Sequence, residues 1–262
     1  MYKLVMLNIM KNLLNKYLIL ALSMVVITAC SDDNDPVPNM PDTPQTPVSL
    51  SVFDDASFVS VPNSMIQSGD VKASTAAAYV TAANGFLLFN AFFTPPAGLQ
   101  PSSKKISAAN GRATVDFTVY EWTDGTGNGI AYQYSSQNGK HVSEVFVKSN
   151  GADYLKFIHA EEDENGSQGT IRFLDVDGSN PSEVAIVYTW SVSSNGARNL
   201  IFEDTQGAMK IDINSNPDLS GDMSAYEDGS LAVSYTWDGA GNGSWIEYNA
   251  DGSIADQGSW TV

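Results

Sequence analysis

Cysteine is all but missing from this chain of 262 residues: Cys30 is the only one, which excludes an internal disulfide and any metal centre of paired thiolates. Histidine is nearly as scarce, with His141 and His159 alone. Basic residues are few, 13 against 30 acidic ones, and Lys3, Lys11 and Lys16 all precede Ala29. The chain beyond Ala29 therefore keeps 13 − 3 = 10 basic groups against 30 acidic ones, a net charge of −20. That excludes a nucleic-acid partner, because phosphate binding needs a basic face. The same charge opposes self-association and adsorption onto anionic headgroups, so a monomer with a neutral or cationic ligand is expected. No nucleophile-elbow serine is present, and enzymatic activity is not expected.

The first thirty residues are organised as an address. Lys3, Lys11 and Lys16 form a positive n-region, Tyr17 to Ile27 an apolar h-region, and Ala29 is the small residue before a cut, the layout of a secretory signal peptide. Met10-Lys11 offers a second start without moving the cut. A membrane-spanning reading fits less well, because the apolar run is shorter than about 20 residues and acid follows it rather than a basic stop-transfer flank. Ile27-Thr28-Ala29-Cys30 resembles the bacterial lipobox, and Ser31-Asp32-Asp33-Asn34-Asp35 resembles the export signal of Bacteroidetes-type surface lipoproteins. The resemblance implies lipidation at Cys30, an outer-membrane and surface-exposed location, and nutrient capture. It would also consume the one thiol.

Three parts are then expected: residues 1–29 as signal peptide, 30–49 as lipidated Cys30 with a tether, and 50–262 as one β-rich domain. Pro36, Pro38, Pro41, Pro44 and Pro47 make the tether extended and hydrated. Leu50 to Phe53 and Phe58 to Val61 are weak strand candidates. Gly69 to Phe93 reads as a helix, capped by Ser68 or Asp70 and stopped by Thr94-Pro95-Pro96, with Tyr79, Ala82, Phe86, Phe89 and Phe93 on one stripe. A hairpin about Asn84-Gly85 is the alternative.

From Arg112 to Val262 the pattern has period two, broken by turn signals about every 8 to 14 residues, such as Asn138-Gly139, Asp177-Gly178, Asp228-Gly229 and Asp251-Gly252. This predicts an antiparallel β-meander of about a dozen strands, curved into a half-barrel or barrel and packed on the long apolar helix. A repeat runs through it. Tyr120-Glu121-Trp122, Tyr188-Thr189-Trp190 and Tyr235-Thr236-Trp237 each precede a Gly/Asn loop, and Asp124 to Gly129 matches Asp238 to Gly243. Gly243-Ser244-Trp245 recurs as Gly258-Ser259-Trp260.

Tyr and Trp two apart share one face of a strand. On an outer face Tyr120, Trp122, Tyr188, Trp190, Tyr235 and Trp237 would form platforms that stack on sugar rings; on an inner face they are core. The glycine loops link strands and begin with an acid, so they are hairpin loops rather than phosphate cradles. Asp212, Asn214, Asn216 and Asp218, with Asp222 behind, follow the opening of a calcium loop, although Pro217 and Met223 replace the Gly and Glu of the helix-loop-helix version. Asp175-Val176-Asp177-Gly178 is a weaker cluster, and Asx-rich turns explain both. His141 and His159 form a conceivable haem pair, while His159 to Glu164 reads as a solvated hairpin tip.

The function expected from sequence is non-enzymatic binding of an extracellular ligand at the cell surface, a neutral glycan first. The alternative is a carrier of lipid or another hydrophobic ligand, because a curved meander around an aromatic helix is similar in architecture to lipoprotein-carrier and lipocalin-like half-barrels. That similarity implies an apolar cavity beside Phe86, Phe89 and Phe93. The third reading is a structural envelope protein or adhesin.

Overall fold

Strict alternation of apolar and polar residues gives every strand one face to bury, and short turns force each strand against the one before it. The computed structural model describes residues 49–54, 57–96, 98–102, 118–176, 183–205 and 209–262, all within one compact unit. Cys30, the tether to residue 48, Val115, Phe117 and Asp177-Gly178 lie outside the described residues. Among the described residues thirteen strands form one antiparallel sheet in sequence order, which does not close. They are β1 (Pro101–Ser102), β2 (Thr118–Thr123), β3 (Gly129–Gln137), β4 (Lys140–Lys148), β5 (Leu155–Asp163), β6 (Gln168–Leu174) and β7 (Val184–Val192). Then follow β8 (Arg198–Asp204), β9 (Met209–Ser215), β10 (Gly221–Glu227), β11 (Ser230–Trp237), β12 (Gly243–Tyr248) and β13 (Ile254–Trp260).

The turns follow their chemistry. Asn138-Gly139 and Asp228-Gly229 have positive φ at both residues, as a two-residue hairpin with the twist of its strands requires.

The two weak strand candidates near residue 50 are not strands. Ser51–Phe53 is a single 3₁₀ turn, and residues 57–61 pair with no strand. Their backbone N–H groups go to side chains instead: Ser51 donates to the Glu162 carboxylate, Phe58 and Val59 to Asn84 Oδ1, and Ser60 to Ser215 Oγ. With helix α1 (Asn63–Gln67) this segment forms a strap. It lies along one end of the strands, from the β5–β6 loop, where Ser51 Oγ reaches Gly166 O, to the β11–β12 loop, where Ser64 Oγ reaches Ala240 O. Leu50, Val52, Phe58, Val59, Val61 and Met65 are buried beneath it.

The long helix forms, in two geometries. Val71–Ala83 is α-helical (α2), with Asp70 capping through the N–H groups of Lys72 and Ala73; Asn84–Phe93 continues as 3₁₀. The hairpin alternative at Asn84-Gly85 is overturned, because the Asn84 side chain is used as a latch. Its Oδ1 accepts from Phe58 and Val59, and its Nδ2 donates to Val59 O and Val80 O. Asn84→Ala should lower stability by about 2 kcal/mol, read from the denaturant midpoint, because the strap's donors lose their acceptor.

The helix crosses the strands rather than following them. Lys72 meets Glu247 and the Trp245 ring on β12, Tyr79 meets Tyr235 on β11, and Phe86, Phe89 and Phe92 meet Tyr188, Phe173 and Phe157 on β7, β6 and β5. Phe93 O finally accepts from Tyr134 Oη on β3 (2.5 Å). From Lys72 to Phe93 the helix measures about 38 Å at α and 3₁₀ rises, and nine strand spacings are about 43 Å, so one helix spans the sheet. A 3₁₀ segment brings every third residue to one ridge. Phe86, Phe89 and Phe92 therefore step one strand per turn, while Phe93, expected on the same stripe, is buried against Phe53.

The glycine-tryptophan repeats have a packing cause. Trp190 stands opposite Gly169, Trp237 opposite Gly221, Trp260 opposite Gly243, and Trp245 opposite Gly258. Each indole lies over a position where any Cβ would crowd it, for example 2.8 Å from Trp237 Cζ2 at Gly221. Trp237 and Trp260 also donate to the loop carbonyls of Leu219 (2.9 Å) and Gly241 (2.7 Å). The third member departs: Trp190 Nε1 is buried without a partner, and the Gly166 carbonyl accepts from Ser51 Oγ.

Candidate functional site

The aromatic pairs are core. Tyr120, Tyr188, Trp190, Tyr235 and Trp237 are all buried on the helix-facing side and Trp122 is half-buried, so the exposed platform expected for a glycan is not formed by these six residues. Burial raises the Tyr188 and Tyr235 hydroxyls well above the usual phenol range. Sequence places the pairs on one face correctly but not which face, because inward and outward aromatics have the same period. The three copies do not share an end either: the loop after β2 lies opposite to those after β7 and β11, since alternate hairpins turn at alternate ends.

The calcium candidates are used otherwise. Asp212 Oδ1 accepts from Asn199 Nδ2 (2.7 Å), and Asn214 sits between Asn199 and Asp222 on the outer face of the sheet. Asn216 and Asp218 lie in the β9–β10 loop, where Asp218 accepts from the N–H and hydroxyl of Ser220 and Asn216 donates to that hydroxyl. This is an Asx turn. Among the described residues no group of three His, Cys, Asp or Glu side chains is placed to hold a metal ion.

The histidines part company. His141 pairs with Glu162 and His159 with Glu144, which puts them on opposite faces of the sheet and removes a shared haem. Nor is His159 to Glu164 a solvated tip. His159 Nδ1 and Nε2 lie 2.9 and 3.0 Å from Glu144 Oε1 and Glu161 Oε1; Lys156 also bonds Glu144, and Gln133 Nε2 donates to its other oxygen (3.0 Å). Desolvation pushes the Glu144 and Glu161 carboxyls up, but hydrogen bonds and charge from His159 with Lys156 or Lys140 outweigh it and hold both below their ordinary value. Glu162, buried under the strap, is shifted up by desolvation that Ser51 only partly offsets. A glutamate in the middle of the apolar alternation of β4 was the one signal of this network in sequence.

What remains without a cover is the far side of the helix. Ala73, Ala76, Ala77, Val80, Ala83 and Phe86 face the sheet and are buried. Val71 is 73 % and Leu88 68 % exposed, Ala91 is exposed, and Ala78 and Ala82 are half-buried. The hydroxyls on the helix do not make that side polar. Ser74 and Thr75 bond back to Val71 O, and Thr81 to Ala77 O. Lys72 is the only charge between Val71 and Phe93, and it is held by Glu247. By length and composition the span is long and apolar enough to cross a bilayer, and 33 % of an 18-residue stretch within it is buried.

The two ends of the inner face also differ. At the strap end Glu162, Trp190, Ser215, Trp237 and Trp260 are buried, whereas at the opposite, open end Trp122, Val147, Val184 and Met209 are half-buried. Between them, the interior beside Phe86 and Phe93 is filled by rings. Phe53 lies 6.0 and 5.1 Å from them, and Tyr188 lies 4.8 Å from Phe86. No family model matches the chain, and no curated protein matches it in sequence.

Proposed function

We propose that this protein is a lipid-anchored, outward-facing outer-membrane protein without a catalytic role, which holds an apolar ligand of the acyl-chain class along the uncovered flank of helix 71–93. The lipobox at Cys30 supports the anchoring. The observation that carries the ligand is the flank itself: a helix with so few polar groups is normally buried on most sides, and this one, covered by the sheet and the strap, leaves Val71, Leu88 and Ala91 exposed beside Thr81 and Asn90. An acyl chain suits it, because the flank offers methyl and ring surface with its hydroxyls already bonded and its one charge neutralised. An open meander with one long helix against it supports the half-barrel likeness, and on this reading the ligand lies outside the aromatic core.

The test is binding of a fluorescent fatty acid to the mature protein, with mass spectrometry of what co-purifies. Leu88→Asp should weaken binding about tenfold or more, because a buried leucine contributes about 1.5–3 kcal/mol. It should leave the thermal midpoint unchanged, since Leu88 packs against little in the protein. A protein that takes up no probe, or an L88D variant that binds as well as the native chain, defeats the reading.

A further inference from the structure

Four loops share one design in the described part of the sheet: the third residue after the first donates back to it, the first donates to the residue four on, and a glycine with positive φ stands at the turn. These are Gly127, Gly196, Gly241 and Gly252, at φ of 87°, 83°, 97° and 81°. The β9–β10 loop, Asn216 to Ser220, repeats both hydrogen bonds, yet its residue is Leu219 at φ 68°. A leucine in this backbone region is strained, and glycine would remove the strain. The structural task of the position does not need the side chain. Leu219 O accepts from Trp237 Nε1 just as Gly241 O accepts from Trp260 Nε1. Nor is the side chain buried, being 40 % exposed.

Two more exposed apolar side chains stand at the same end. Ile66 on α1 is 56 % exposed beside Met65, and Val262 is 42 % exposed; Met65 and Val262 both flank Gly241 in the loop next to that of Leu219. The β9–β10 and β11–β12 loops themselves touch where Gly239 approaches Asp218 O. The first described residues also lie at this end, because Ser51 is clamped to Glu162 and Gly166 at the β5–β6 loop. Residues 31–48 with their five prolines reach at most about 55 Å at about 3.1 Å per residue, so the lipid bound to Cys30 is within range.

We infer that this end is a membrane-contacting tip, in which Leu219, Ile66 and Val262 enter the lipid surface that holds Cys30. The inference rests on the anchored reading above. Three side chains bind a bilayer weakly alone, but the anchor makes the contact intramolecular and raises the local concentration of lipid. Charge selects the surface. Asp218 and Asp238 flank the tip, and the hydroxyl of Ser220 and the amide of Asn242 hold their carboxyls below the ordinary range, so they stay ionised and disfavour anionic headgroups. The partner is a zwitterionic lipid surface.

The experiment uses the full lipidated protein in phosphatidylcholine vesicles. Acylated Cys30 leaves a thiol introduced by Leu219→Cys as the only one, so an NBD probe goes there alone. Its emission should brighten several-fold and be quenched by nitroxide-labelled lipid, and anionic lipid should weaken both effects. A probe at Ile254→Cys, exposed at the open end, should stay aqueous. Leu219→Gly, read with a probe at Ile66→Cys, should raise the thermal midpoint and dim the probe. Probes that stay aqueous at both ends, or a lowered midpoint in the glycine variant, overturn the inference. A chain that carries no acyl group by mass spectrometry removes the anchored reading, and the inference falls with it.

Discussion

Gly169→Val is expected to cost about 3–5 kcal/mol and to leave the protein largely unfolded at ambient temperature. By strand propensity alone valine should improve β6. The position forbids it: an added Cβ would collide with the Trp190 ring, reaching Cη2 at 2.5 Å, and would also stand 2.7 Å from Glu161 O. Trp190 has no room to yield, being wholly buried between the sheet and the layer above it. Displacing it loses core contacts on the scale of a large-to-small aromatic substitution. Trp190→Ala should therefore cost a similar amount, and the G169V/W190A double variant should be less destabilised than the two single effects added. Chemical unfolding of the four proteins measures that coupling, and strict additivity would show that the pair is not the cause.

Removal of the Glu144 carboxylate should be the next largest effect, about 3 kcal/mol for Glu144→Ala, because Lys156, His159 and Gln133 all direct bonds at it and it is 5 % exposed. The same network sets the acid limit of the fold. Glu144 and Glu161 have folded values below their ordinary 4.5, so they contribute stability that is present above about 4.5 and lost as the pH falls through the folded values. Glu162 has the opposite sign. Its folded value is raised, so its contribution is full below about 4.5 and lost as the pH rises through the folded value. Glu144 and Glu161, joined by Asp124, Asp218, Asp238 and Asp251 with the same sign, stand against Glu162 alone and predict a thermal midpoint that falls on acidification below about 4.5. Glu144→Gln should flatten that fall, whereas Glu162→Gln should relieve the loss on the neutral side. A midpoint that rises on acidification in the native chain would contradict the assignment.

The architecture was legible because its signals are local. Alternation and Asx-Gly turns announced the meander, and the thirteen strands pair in sequence order, the arrangement that short turns impose. Asp70 and the alanines announced α2. The change to 3₁₀ at Asn84 was not legible, since Asn84-Gly85 carries the same signal for a hairpin as for a latch. What decided it was the strap, whose donors need Asn84 Oδ1 from residues some 25 positions away. The Gly-Ser-Trp recurrence was visible as a repeat, but its reason, an indole lying over a glycine on the next strand, exists only once β12 and β13 are paired.

Functional residues divided along the same line. Spacing put Tyr and Trp on one face and brought Asp212, Asn214, Asn216 and Asp218 close in sequence, and both patterns resembled sites. In the folded chain the rings pack in the core, Asp218 and Asn216 hold a turn, and Asp212 and Asn214 bond to Asn199 on the outer face of the sheet, since packing and neighbouring donors claimed them first. The uncovered helix flank and the tip at Leu219 carried no motif. A leucine is ordinary in sequence; at φ 68° among four glycines it is not.

By itself, the amino-acid sequence determined the acidic balance, the lone cysteine, the antiparallel meander and the existence of one long apolar helix, because each follows from composition or from neighbours a few residues apart. Only the tertiary structure decided that this helix runs across the strands, that the sheet stays open, which face the aromatics take and which apolar groups remain in water. Those depend on contacts between residues far apart in the chain, where burial and hydrogen-bond satisfaction choose among arrangements of identical period.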